Sequence, residues 1–385
     1  MLIDPVTQSR RIIVFLAAIG SGLGAQSVRR LDGVPHPRVA VVLSGGSAKG
    51  LSAIGALDVI EQMGIPIDAV TGTSMGSVIG GLYAAGYSPA GIDSLLAAED
   101  WSTLFKRPDD RRLQRMYERL DDQRFTLTFP LERARPILPA AVVSRQSIAT
   151  YLERRLWPVS NDTDFMRLPT PFAALATDLR TGAPVLLQSG SLAQAIEGSA
   201  AVPGAFAPLT LADGRTVIDG AVNRNIPAED ARAMGADILI CVDVSERAGP
   251  VQDLRSLVDI LDQTVAFRVQ MSNAVELPLC NVVISPDITQ LSSVDFAQWR
   301  EWVRRGRAAA LAEQPALRAI ADSVRALRGS LAPRRMIPRI DSVFIRRVTR
   351  STVSAGADVI ARGAITLRDS AWVTQQQVEA AAARV

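Results

Sequence analysis

Two short apolar runs, each closing on a turn rich in glycine and serine and each followed by a helical pattern, constrain this chain more than any other feature. The first, Arg38-Val39-Ala40-Val41-Val42-Leu43, ends in Ser44-Gly45-Gly46 and gives way to a helical pattern from Leu51 to Met63 that stops at Gly64. The second, Ile67 to Val70, runs into Gly72-Thr73-Ser74-Met75-Gly76 and a helix of small residues from Met75 to Ala85. Apolar runs without alternation mark strands buried on both faces. A β-α-β-α opening of this kind predicts an α/β fold built on a doubly wound, mostly parallel sheet. Ligands then bind at the carboxyl ends of the strands.

Residues 100 to 145 interrupt the alternation with charged, proline-containing sequence and a hairpin pattern around Phe125 to Phe129. Regular patterns return as a helix from Ser147 to Leu156 and strands at Phe172 to Thr177, Pro184 to Gln188 and Thr216 to Ile218. A helix from Ala228 to Met234 leads to a strand at Ile238 to Val242. Long helices from Leu254 to Ala274 and from Phe296 to Leu327 flank a strand at Val282 to Ser285. The expected core therefore covers residues 38–328. Residues 329–339, with two prolines, a glycine and Arg334-Arg335, read as a linker. Residues 340–385 offer at most one strand, Ile340 to Val348, and helical patterns at Ala355 to Arg362 and Gln375 to Val385, a partial β-α-α tail.

A chain of 385 residues with 48% hydrophobic content can bury a large core. Residues 1–25 have the form of a secretory signal: Arg10-Arg11, an apolar stretch from Ile12 to Ile19, then small residues to Ala25. Export to a periplasm or an outer membrane is expected. A net charge of +3 gives no field for nucleic acid. Residues 300 to 350 carry 13 arginines against four acids, which suits either anionic lipid head groups or a solvated helix face followed by a linker. Cys241 and Cys280 both lie in or beside apolar runs and read as buried core thiols, with a disulfide the alternative in an exported protein. With no Cys/His/carboxylate cluster, neither a metal nor a cofactor is expected.

The chemistry is narrowed by a single histidine. His36 precedes the first core strand, where no Ser-His-Asp triad of the α/β-hydrolase order would place its base. If Ser74 is a nucleophile, a carboxylate must activate it directly. Asp219, in Val217-Ile218-Asp219-Gly220-Ala221 at the end of an apolar run, is the candidate. Ser74 sits on a strand-to-helix turn whose neighbours Gly72 and Gly76 permit tight backbone angles and push the hydroxyl out of the strand end. The loop Ser44-Gly45-Gly46-Ser47-Ala48-Lys49-Gly50 supplies backbone N–H groups that can converge on an oxyanion, with Gly45, Gly46 and Ser47 as the donors. It is no Walker A loop, since Lys49 stands between Ala48 and Gly50. It is a poor dinucleotide loop, since the second strand ends in the serine turn instead of an acid.

These three motifs, in this order, resemble those of the patatin-like phospholipases over residues 38 to 325. The family's Gly-x-Gly-x-x-Gly loop falls on Gly45 to Gly50, its Gly-x-Ser-x-Gly on Gly72 to Gly76 and its Asp-Gly-Gly/Ala on Asp219, Gly220 and Ala221. Ala176 to Gly182, Ala195 to Gly204 and Ile284 to Asp287 are similar as well. In one departure, Ser47 replaces the middle glycine of the loop. The resemblance implies a three-layer α/β/α fold and an esterase of the phospholipase A, lysophospholipase or carboxylesterase type. Ser74 would attack an ester carbonyl, Asp219 would take its proton, and the partners would be phospholipid and a membrane surface. A lipid-binding or outer-membrane assembly module that no longer turns over is the alternative. The tail resembles the opening of a polypeptide-transport-associated (POTRA) module, which implies an outer-membrane barrel farther along.

Overall fold

A computed structural model describes residues 28–31, 37–99, 145–245, 257–292 and 295–328, together with four short strands at Leu131–Glu132, Arg135–Pro136, Val343–Ile345 and Ala371–Val373. The signal-like segment, His36, the pattern at Phe125 to Phe129 and the two helical patterns of the tail lie outside these residues.

Strands β1 (Val39–Leu43), β2 (Ala69–Thr73) and β3 (Phe172–Asp178) are buried at every position, as both-face burial requires. With β4 (Pro184–Leu187), β5 (Leu209–Thr210), β6 (Thr216–Asp219), β7 (Ile238–Val242) and β8 (Val282–Ile284) they form an eight-stranded sheet in the order β8-β7-β1-β2-β3-β6-β5, with β4 also on β3. The first five strands in this order are parallel. The remainder, β4, β5 and β6, pair antiparallel.

The alternation of side chains along each strand divides the core into two layers. Val39, Val41, Leu43, Val70, Phe172, Ala174 and Ile240 share one cluster with helices α1 (Ser52–Gln62), α2 (Met75–Ala84) and α3 (Pro89–Ala97). Residues from α4 (Arg145–Leu156) and α5 (Leu192–Ser199) pack into the same cluster. Ala40, Val42, Ala69, Ala173, Leu175 and Leu239 point the other way and pack on α6 (Ala228–Ala233). The fold is mixed α/β with helices on both faces of a central sheet.

Several elements differ from the sequence reading. The second strand starts later, at Ala69, because Asp68 Oδ2 accepts the Val39 N–H at 2.8 Å and the strand runs on to the serine turn. The long helices are α7 (Leu257–Glu276) and, in place of one helix from Phe296, α8 (Trp299–Ala312) and α9 (Gln314–Arg328). Pro315 explains the break: it has no N–H to donate, and its ring clashes with the carbonyl four residues back. α3, α5 and β5 were not apparent from periodicity, although Ser88 and Ser191 cap their helices with N–H bonds at 3.0 and 3.4 Å. In the tail, Ala371–Val373 pairs antiparallel with Val343–Ile345, which corrects the expectation of a single strand.

Cys241 and Cys280 form a disulfide with Cα atoms 5.9 Å apart, not two free thiols. It joins β7 to the residue two positions before β8. Four arginines on α8 and α9 form ion pairs. Arg304 and Arg305 contact Glu301, Arg307 contacts Asp58 on α1, and Arg325 contacts Asp322.

Candidate active site

Ser74 lies between the last residue of β2 and the first of α2, with φ 52° and ψ −123°. A non-glycine residue there costs on the order of 1–3 kcal/mol and persists only where its surroundings fix it. They do so here. The Ser74 N–H donates to Ser199 Oγ at 3.0 Å, and that hydroxyl donates to Leu175 O at 2.6 Å. The Ser74 carbonyl accepts from Ser77 Oγ at 2.6 Å. A Cβ on Gly72 would come within 2.5 Å of the Gly76 carbonyl, and one on Gly76 would collide with the Leu43 carbonyl, so this turn excludes side chains on both sides of the serine.

Asp219 reaches Ser74 through the sheet. Ala174 and Leu175 pair with both β2 and β4, while Ala176 and Thr177 pair with both β4 and β6. Since a strand has only two edges, β2 and β6 occupy the same edge of β3 and run toward each other. Their ends, Thr73 and Asp219, meet there. Gly220 closes the junction: a Cβ on it would collide with the Leu175 carbonyl and lie 3.0 Å from Thr73 Cγ2.

Asp219 is 3% exposed. Its Oδ1 accepts the Ala221 N–H at 2.8 Å, and its backbone is held by Ala201 O (3.0 Å) and Thr177 Oγ1 (2.9 Å). Oδ2 is buried and has no hydrogen-bonded partner among the described residues. Burial pushes the carboxyl up to about 6, against the opposing influence of the Ser74 hydroxyl and the Ala221 N–H. No hydrogen bond from the Ser74 hydroxyl closes on Oδ2 among the described residues, and catalytic hydrogen bonds of this kind often tighten only when substrate arrives. Arg224, in the segment leaving Asp219, is gripped by Glu229, Asp230 and Glu276 at 2.6, 2.7 and 2.9 Å.

In the glycine loop, Ser44 is stapled to the end of β7 through its N–H on Val242 O (3.1 Å) and its Oγ under the Val244 N–H (2.9 Å). Gly45 approaches Ser74 so closely that a Cβ on it would lie 3.0 Å from Ser74 Cβ. Its N–H, however, donates to Asn225 Oδ1 at 3.1 Å. Gly45 is therefore not an open donor, contrary to expectation. Gly46 and Ser47 have no acceptor for their N–H groups among the described residues, because they open the 3-10 turn Ser47–Leu51. Ser47 adopts φ 48°, the conformation a glycine would take without strain. Lys49 is 4% exposed, and a Cβ on Gly50 would meet Met75 Cγ at 2.6 Å, so Gly50 is held to glycine by close packing.

Ser47 and Ser74 line an apolar cavity that opens to solvent. Leu51, Met75, Val78, Leu82, Tyr151 and Phe206 contribute to its walls. Among the described residues no group of three or more His, Cys, Asp or Glu side chains could hold a metal ion.

Residues 41–232, which contain the glycine loop, Ser74 and Asp219, match the patatin-like phospholipase family. The chain belongs to the patatin-like phospholipases. It is 31% identical to human (Homo sapiens) patatin-like phospholipase domain-containing protein 6 over 54% of its length and 13% of that protein's. An uncharacterized NTE family protein of Mycobacterium tuberculosis is 30% identical over 60% of this chain and 55% of its own length. The chain thus spans little more than half of the one relative and a small part of the other. Among solved structures, VipD from Legionella pneumophila has 15% identity and a TM-score of 0.37, covering 83% of this chain and 72% of that one.

Two residues of this patatin-like site had no sequence signal. Ser199, fully buried, lies inside the Ala195 to Gly204 stretch but shows its place only through the bonds to Ser74 and Leu175. Asn225 is 180 positions from the glycine it binds.

Proposed function

We propose that this chain is a lipid acyl hydrolase that works through a Ser74–Asp219 dyad. The observation that carries the reading is Asp219 Oδ2, a buried acceptor with no donor of its own, beside a serine hydroxyl at the wall of an apolar cavity. Ser74 Oγ attacks the ester carbonyl carbon while its proton passes to Asp219. The tetrahedral oxyanion is received by the N–H groups of Gly46 and Ser47, and the alcohol departs with the proton from Asp219. Water then attacks the acyl-enzyme, Asp219 takes its proton, and the carboxylic acid leaves as Ser74 is reprotonated. With its carboxyl at about 6, Asp219 is mostly ionised near neutrality yet more basic than an ordinary aspartate. The apolar walls suit an acyl chain, and phospholipid at a membrane surface is the substrate source we favour. The Cys241–Cys280 disulfide supports an oxidising compartment such as a periplasm.

The test is hydrolysis of p-nitrophenyl esters and of a phospholipid mixture, the latter followed by lipid mass spectrometry. Ser74→Ala and Asp219→Asn should each abolish turnover, and the double variant should be no worse than either, because the two groups act as one unit. His36→Ala should stay within a few-fold of the parent. Turnover retained in Asp219→Asn would remove the dyad. A hundredfold loss in His36→Ala would restore a triad. No Ser74-dependent labelling by a fluorophosphonate would favour a lipid-binding module.

A further inference from the structure

We infer that Asn225 is a positioning residue for the oxyanion loop, an assignment that rests on the hydrolase reading above. A glycine-rich loop has more backbone freedom than a donor array can tolerate, since donors stabilise a developing charge only if they are already oriented. Ser44 is fixed by β7, but nothing in the loop's own sequence fixes Gly45. Asn225 does. Its Oδ1 accepts the Gly45 N–H at 3.1 Å, and its Nδ2 lies 3.4 Å from the Gly45 carbonyl, so one carboxamide grips the peptide groups on both sides of that residue. The Gly45 N–H is occupied, and the Gly45–Gly46 peptide is held in one orientation. The next two N–H groups, of Gly46 and Ser47, are left for the substrate.

The carboxamide is itself immobilised. It is 2% exposed, and Nδ2 donates to Ser245 Oγ at 2.7 Å, which also accepts from Asn273 Nδ2 on α7 at 2.7 Å. Asn225 follows Arg224, whose three ion pairs include Glu276 on the same helix. The segment that begins with the base thus ends on the clamp of the oxyanion loop. The geometry of Asp219, Ser74 and the donors is set by one length of chain. No other side chain of this size offers an uncharged acceptor to Gly45 and donors to both Gly45 and Ser245. Aspartate would place a negative charge beside the oxyanion, and alanine would hold neither group.

The experiment is steady-state ester hydrolysis by the full chain, with active sites counted by fluorophosphonate titration so that misfolded molecules drop out. Per titrated site, Asn225→Ala should lose about 10- to 100-fold in kcat with KM within about threefold, the pattern of an interaction made in the transition state. Ser245→Ala, which frees the carboxamide without removing it, should lose about 3- to 10-fold in kcat and decides the matter if Asn225→Ala gives no soluble protein. A kcat per site within twofold of the parent in the deciding variant overturns the positioning role and leaves the dyad standing. An equal rise in KM and no change in kcat would also overturn it. A parent chain that shows no Ser74-dependent labelling removes the hydrolase reading, and this assignment with it.

Discussion

Asp219→Asn should make the protein more stable near pH 8, leave it unchanged near pH 4, and stop turnover at both. Burial raises the carboxyl from its ordinary value of 3.8 to about 6. Between those values the folded protein keeps a proton that the unfolded chain releases, so raising the pH through this window favours unfolding. A displacement of roughly two units, at about 1.4 kcal/mol each, comes to about 3 kcal/mol carried in full above pH 6. The amide has the shape of the carboxyl without its charge. It keeps the Oδ1 acceptor for the Ala221 N–H, and its NH2 replaces an Oδ2 that has no donor in the described structure. The expected gain is therefore about 2 to 3 kcal/mol near pH 8, shrinking to a few tenths near pH 4. Urea unfolding followed by circular dichroism at about pH 4, 6 and 8, on parent and variant together, measures it. Asp230 and Glu276, which burial also raises, are common to parent and variant and cancel in the difference. A variant no more stable than the parent at pH 8, or a gain that does not vary with pH, would refute the reasoning.

Turnover of a neutral ester should fall as pH drops through about 6, because protonated Asp219 cannot accept the serine proton; a kcat/KM profile flat between pH 5 and 8 would contradict this. Replacing Cys241 and Cys280 together by alanine should cost about 3 to 4 kcal/mol in urea unfolding, the loop-closure value for a separation of 39 residues. Gly306→Ala should cost at least about 2 kcal/mol, because a Cβ there would collide with the Ser52 carbonyl where α8 crosses α1. A thermal midpoint equal to the parent's would show that the helices can separate freely.

The parts of the protein legible in its sequence are those in which local pattern and burial are the same thing. The run Val39 to Leu43 is apolar at every position because β1 is covered on both faces, and Gly72 and Gly76 flank Ser74 because that turn has no room for side chains. From these the doubly wound fold and the serine turn follow without coordinates, and Asp219 stands out as an acid closing an apolar strand. Tertiary structure alone decided what these pieces do to one another. That β2 and β6 share an edge of β3 and meet end to end follows from pairings across as many as 102 positions, for which no local spacing exists. The same holds for the bond that closes the Gly45 N–H, for Ser199 beneath Ser74, and for the disulfide that ties β7 to the turn before β8. A residue's type limits which bonds it can make, but its partner is selected by packing of the whole core.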